Sequence, residues 1–246
     1  MFRASIRFLL FSLVLSCAPM WAQNSVQRGL LAEDQVPPLD SKITLGRLEN
    51  GLTYYIRVNK RPERRAELRL VVNAGSILET DEQRGIAHFV EHMAFNGTKN
   101  FRKQDLVNYL ESVGVRFGAD LNAGTGFDET VYRLQVPTDT PSILHRGFDI
   151  LEDWAHQVTF DDDAIEKERG VITEEWRLGR GAAARINDKQ FPILFSGSRY
   201  AERLPIGLKS VIESGSHQSI RQFYRDWYRP DLMAVVAVGD FELARS

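Results

Sequence analysis

His88, Glu91 and His92 stand together in the pentad His88-Phe89-Val90-Glu91-His92. On a helix, at about 100° per residue, two histidines four apart lie about 40° from each other, with the glutamate beside them. Two imidazoles and a carboxylate then point into one small volume. Such a set suits a catalytic zinc site, in which neutral ring nitrogens bind at about 2.0–2.1 Å and a nearby carboxylate takes a proton from metal-bound water. Ile86, Phe89, Val90, Met93 and Phe95 make the segment apolar. Buried imidazoles need partners. The plainer alternative is a pair of core histidines satisfied by backbone groups or by Glu91 alone.

A catalytic zinc wants a third protein ligand and an open fourth position. The remaining histidines, His145, His156 and His217, or a carboxylate are the candidates. His145 and His156 share the polar side of a helix expected over 141–158 with Asp149 and Glu152, which reads as a solvated face. The segment Glu168-Arg169-Gly170-Val171-Ile172-Thr173-Glu174-Glu175 is more suggestive. Glu168 and Glu175, seven apart, fall within about 20° on one helix face, whereas Glu174 points about 120° away from Glu168. At 1.5 Å per residue they lie about 10 Å apart along the axis, too far for both to bind one ion. One of them is expected to be a ligand, and the other to orient a histidine or the substrate.

These residues need a frame. Ile43 to Val58 alternates around the turn Glu49-Asn50-Gly51 and predicts a hairpin. Leu68, Leu70 and Val72 alternate within an expected strand over Ala66–Asn73. The period changes to helical over Gln83–Phe95, and a second helix is expected over Lys103–Val113, capped by Gly114. Residues 115–136 return to strand character, ending at Pro137. Thr140-Pro141 opens the 141–158 helix, whose buried stripe is expected to be Leu144, Phe148, Leu151, Ala155 and Val158. An acidic first turn at Asp161–Asp163 starts the helix that carries Glu168 and Glu175, running to Arg180 or beyond. Residues 191–215 read as an irregular connection, followed by a helix over His217–Tyr228 and a strand over Ala234–Val238. Strands and helices mix without strict alternation. The expected class is α+β, a largely antiparallel sheet covered on one face by helices.

The first residues are of another kind. Arg3 and Arg7 precede the apolar run Phe8–Val14, and small or uncharged residues extend to Ala22, as in a secretory signal peptide over residues 1–22. Cleavage after Ala22 is one reading; Val14-Leu15-Ser16-Cys17 is also similar to a lipobox, which would anchor the chain to a membrane by a lipid on Cys17. Residues 23–42, with Pro37 and Pro38, read as an extended leader into a domain spanning 43–246. Cys17 is the sole cysteine of the 246 residues, so the domain has neither a disulfide nor a cysteine nucleophile. A formal net charge of −2, with no basic face, excludes nucleic acid as a partner class.

The pentad is the inverzincin signature. With its surroundings the chain resembles the pitrilysin or insulinase-type metallopeptidases over roughly residues 43–240. His88-Phe89-Val90-Glu91-His92-Met93-Ala94-Phe95-Asn96-Gly97-Thr98 is similar to that family's zinc helix, and Glu168 to Glu175 to its downstream helix. Asn122, Ala123, Gly124 and Thr125, followed by Asp128-Glu129-Thr130-Val131-Tyr132, resemble its active-site edge strand. The stretch from Glu168 to Trp176, with Arg221 to Tyr224 and Trp227-Tyr228, is most similar to the bacterial periplasmic zinc proteases. The resemblance implies one Zn²⁺ per chain on His88, His92 and Glu175, with Glu91 as general base and Glu168 supporting the site. It implies peptide or protein substrates held on residues 122–125 by strand addition. It also implies export to the periplasm, and a homologous C-terminal domain or second chain that completes the site. The rival it leaves is an inactive or partner half of a two-chain assembly.

Overall fold

The computed structural model describes residues 38–243; the expected signal peptide, Cys17 and residues 23–37 of the leader lie outside this range. The expected hairpin forms from β1 (Thr44–Arg47) and β2 (Thr53–Val58). Gly51 supplies a positive φ of 96° at its turn, which favours a residue without Cβ. In β3 (Arg65–Val72) every second residue is buried: Ala66, Leu68, Leu70 and Val72. Next come α1 (Ile86–Met93), α2 (Lys103–Ser112), β4 (Leu121–Thr125) and β5 (Thr130–Pro137). The chain continues through α3 (Pro141–His156), α4 (Asp162–Leu178), α5 (Ala182–Leu194), α6 (Lys209–Ser214), α7 (His217–Trp227) and β6 (Met233–Gly239).

The architecture is α+β. One sheet has the order β1-β2-β6-β3-β5-β4. The β2–β6 pair is parallel and the other pairings are antiparallel. The last strand therefore inserts between the two segments that open the fold, and β4 is an edge strand. Helices α1 and α3 pack on the buried side of β3, β4 and β5. Their junction is aromatic: Trp154 of α3 stacks on Tyr132 of β5 with ring centroids 5.3 Å apart, and its indole N–H donates to the Ala94 carbonyl at 3.1 Å. That bond ties α3 to the end of the helix that carries the histidine pair. Among the described residues no helix is long and apolar enough to cross a membrane.

Two expectations fail. Phe148 is exposed, and the buried stripe of α3 runs through Gly147, Ile150, Leu151, Trp154 and Ala155. The cause is close packing at Gly147, where a Cβ would lie 2.7 Å from Leu68 Cδ1. The helix is turned so that its glycine meets the sheet. The connection expected over 191–215 holds the end of α5 and all of α6. Pro192 marks a break in the sequence, yet it sits in the last turns of α5, a helix with no fully buried residue and hence a weak apolar stripe.

Candidate metal centre and active-site cleft

Helix α1 is short, apolar and anchored at both ends. Its N-cap, Gly85, has a φ of 106° and no side chain to cap with, and the buried carboxylate of Glu79 takes that role. Glu79 accepts the backbone N–H of Gly85 at 3.0 Å and of Ala87 at 2.8 Å. Negative charge at a helix N-terminus is favourable. Burial nevertheless pushes the Glu79 carboxyl up to about 7, against the pull of those N–H groups and of Arg203.

One turn apart on this helix, His88 and His92 bring their Nε2 atoms to 3.2 Å, with their rings edge to face. From α4, Glu175 places Oε2 3.3 Å from His92 Nε2 and 3.7 Å from His88 Nε2. Among the described residues these three form the one group of metal-ligating side chains whose donor atoms converge. Their spacing fits a small ion: tetrahedral coordination with bonds of about 2.05 Å puts donors about 3.3 Å apart. Two imidazoles and one carboxylate, with a cleft in front of them, are a donor set that zinc accepts.

Glu168, two turns earlier on α4, meets the other side of His92. Its Oε1 lies 2.8 Å from His92 Nδ1, and its Oε2 accepts from Asn96 Nδ2 at 2.8 Å. Asn96 also donates to the His92 carbonyl at 3.0 Å. With the proton on Nδ1, His92 donates to Glu168 and presents the Nε2 lone pair to the cleft. Glu174 faces away and pairs with Arg177 on the surface. His145 and His156 are exposed on α3. His217 lies near the start of α4 between Asp162 and Glu166, at 2.8 and 2.5 Å.

The protons of this cluster are unevenly shared. Burial, and then the charge of His92, hold His88 down at about 4. Burial would also lower His92, but the hydrogen bonds to Glu168 and Glu175 outweigh it and raise His92 to about 9. Glu175 is held below the usual carboxylate range by its bond to His92. Burial opposes ionisation of Glu168, yet His92 and Asn96 keep it low as well. The free cluster therefore carries one proton that an incoming cation must displace.

Glu91 lines the same cleft and is buried, and its Oε2 accepts the Thr125 hydroxyl at 2.7 Å. Burial raises its carboxyl above the ordinary value, a shift that suits a proton acceptor working near neutrality. Asn122, Ala123, Gly124 and Thr125 are the body of β4, and all four line the cleft. Phe95, Phe117, Val171, Pro205 and Ile206 complete its wall, around a volume of about 590 Å³. Sequence reasoning missed Glu79 and Asn96. Asn96 stands four residues after His92, a helical spacing that could have flagged it. Glu79 carries no periodic signal.

The family "Insulinase (Peptidase family M16)" matches residues 54–179, and the family "Peptidase M16 inactive domain" matches residues 215–245. A relative in Arabidopsis thaliana, "Zinc protease PQQL-like", is 48% identical over 196 residues, covering 80% of this chain and 20% of its own. "Probable zinc protease PqqL" of Haemophilus influenzae is 43% identical over 205 residues, 83% of this chain and 22% of its own. The solved first half of the periplasmic protease PqqL from Escherichia coli has a TM-score of 0.81 and 40% identity, covering 85% of this chain and 44% of that one. The chain thus spans about a fifth of the length of these curated relatives.

Proposed function

Because the chain belongs to the insulinase family of peptidases, family M16, we propose that it carries the catalytic zinc centre of a periplasmic metalloendopeptidase. The observation that carries this reading is the triangle of His88, His92 and Glu175 donors, 3.2–3.7 Å on a side, with the carboxylate of Glu91 in the same cleft. The names of its relatives, zinc proteases and a periplasmic protease, support zinc as the ion and the periplasm as the compartment.

Bound zinc would supply Lewis-acid activation of water and of the scissile carbonyl. The protein side of the reaction falls to four side chains and one strand edge. Glu91 takes a proton from the attacking water through the oxygen that Thr125 does not hold, then returns it to the leaving amine. Thr125 fixes that carboxylate relative to the edge strand. Glu168 and Asn96 lock the His92 ring in the tautomer that leaves Nε2 free. The outer edge of β4, unpaired in the sheet, takes an extended peptide as an added strand and lays its backbone across the cleft.

The two curated relatives are several times longer, and a second family segment begins at residue 215. A homologous C-terminal half or a second chain is accordingly proposed to close the cleft over substrate. The deciding experiment measures zinc content and hydrolysis of an unstructured peptide library by the full-length protease, for wild type and Glu91→Gln together. Stoichiometric zinc in both with cleavage by wild type alone is expected. No zinc in the wild type, or equal cleavage by both, would overturn the reading.

A further inference from the structure

The walls of the cleft differ in origin. Phe95 follows the histidine helix and Val171 lies on α4, but Pro205 and Ile206 come from an irregular loop that lies between the two family-matched segments. That loop is firmly held. Arg203 is 6% exposed, and its guanidinium donates to the Glu79 carbonyl at 3.1 Å and to Asp81 at 2.6 Å. The Ser76 hydroxyl donates to the Arg203 carbonyl at 2.5 Å. The N–H of Gly207 closes a turn onto the Leu204 carbonyl at 2.8 Å, and the Leu208 N–H reaches the Arg84 carbonyl at 3.0 Å. Gly207, at φ 71°, passes so close to Gly85 that a Cβ on it would lie 2.2 Å from the Gly85 Cα.

Apart from the turn that Gly207 closes onto Leu204 within the loop, these attachments all land on residues 76–85, the run that leads into α1. Glu79 is the pivot, since its backbone carbonyl receives Arg203 while its carboxylate caps the helix. The loop and the helix that carries the histidine donors are therefore both tied to the same short run of chain. Pro205 and Ile206 offer that space only apolar side-chain atoms, and both are half-buried.

Building on the peptidase reading, we propose that Pro205 and Ile206 form a specificity-determining wall that selects peptides with an apolar side chain beside the scissile bond. Arg203 is the positioning residue that holds this wall. A fixed apolar surface favours a side chain that fills it by roughly tenfold or more per methylene. It disfavours a carboxylate, which would lose its hydration without gaining a partner.

The test uses the full-length, zinc-loaded protease and a degenerate peptide library, with cut sites read by mass spectrometry. Wild type should enrich apolar residues, and deplete Asp and Glu, at one position flanking the cut. Ile206→Glu should reduce the apolar enrichment at that position about tenfold and admit Lys or Arg there, with zinc content and the other positions unchanged. Arg203→Ala should broaden the same position and raise KM more than it lowers kcat; Arg203→Lys, which keeps a donor near Asp81, should lie between it and wild type. If wild type cleaves with an apolar preference that Ile206→Glu leaves intact, the wall is refuted and the peptidase reading stands. If wild type cleaves no better than Glu91→Gln, the peptidase reading falls and the wall falls with it. Because Ile206 is only half-buried, its variant remains decisive even if Arg203→Ala fails to fold.

Discussion

Glu168 and Glu175 touch the same histidine through opposite nitrogens, so exchanging each for glutamine should have unequal effects on zinc. In Glu168→Gln the retained amide oxygen can still accept from His92 Nδ1, now at 2.8 Å. The amide nitrogen, however, faces Asn96 Nδ2, which in the native protein donates to Glu168 Oε2 at 2.8 Å. Turning the Asn96 amide would bring its unpartnered Oδ1 into use, at the cost of the 3.0 Å bond to the His92 carbonyl. The net loss is about one charge-assisted hydrogen bond, in the range of 1.5–3 kcal/mol. For a group that orients a ligand this corresponds to a fall in zinc affinity of about 10–100-fold. Glu175→Gln instead replaces an anionic donor with a neutral amide, and should weaken zinc by at least about another tenfold. Competition against a chromophoric chelator measures both. Because His92 is held up at about 9 in the free site, zinc must displace its proton at neutral pH. Wild-type affinity should therefore rise roughly tenfold per pH unit between about 7 and 8. A larger loss in Glu168→Gln than in Glu175→Gln, or affinity flat with pH, would refute this division of roles.

Thr125→Val removes the hydroxyl that holds Glu91 Oε2 at 2.7 Å; kcat should fall about tenfold with zinc content unchanged, as steady-state kinetics on the full-length protease will show. Glu79 binds its proton more tightly when folded, at about 7 against an ordinary 4.5. Its contribution to stability should therefore decline as pH rises through that interval, by about 3 kcal/mol at most. Denaturant unfolding at pH 5 and pH 8 should show that part of the slope vanish in Glu79→Gln. Trp154 is fully buried and bonded to the Ala94 carbonyl, so Trp154→Ala should cost about 3–5 kcal/mol. A loss under about 1 kcal/mol in the same assay would contradict its place in the core.

Local chemistry was legible in the chain itself. The spacing of His88, Glu91 and His92 needs only a helix to converge. The alternation of Leu68, Leu70 and Val72 needs only a strand, and Thr140-Pro141 announces a helix start by sterics alone. Even the pairing of roles on Glu168 and Glu175 follows from 1.5 Å of rise per residue. Which glutamate meets which nitrogen does not, because that depends on how α4 crosses α1, a matter of packing between segments some eighty residues apart. The same holds for β6, which joins the sheet between β2 and β3, and for Gly147, whose contact with Leu68 turned α3 and left Phe148 outside. Glu79 and Arg203 were silent in sequence for a related reason: a buried charge resembles a surface one until its partners are known. Periodicity reports what a residue does along its own element, whereas the partners of His92, Glu79 and Arg203 come from other elements and exist only after the chain has closed on itself.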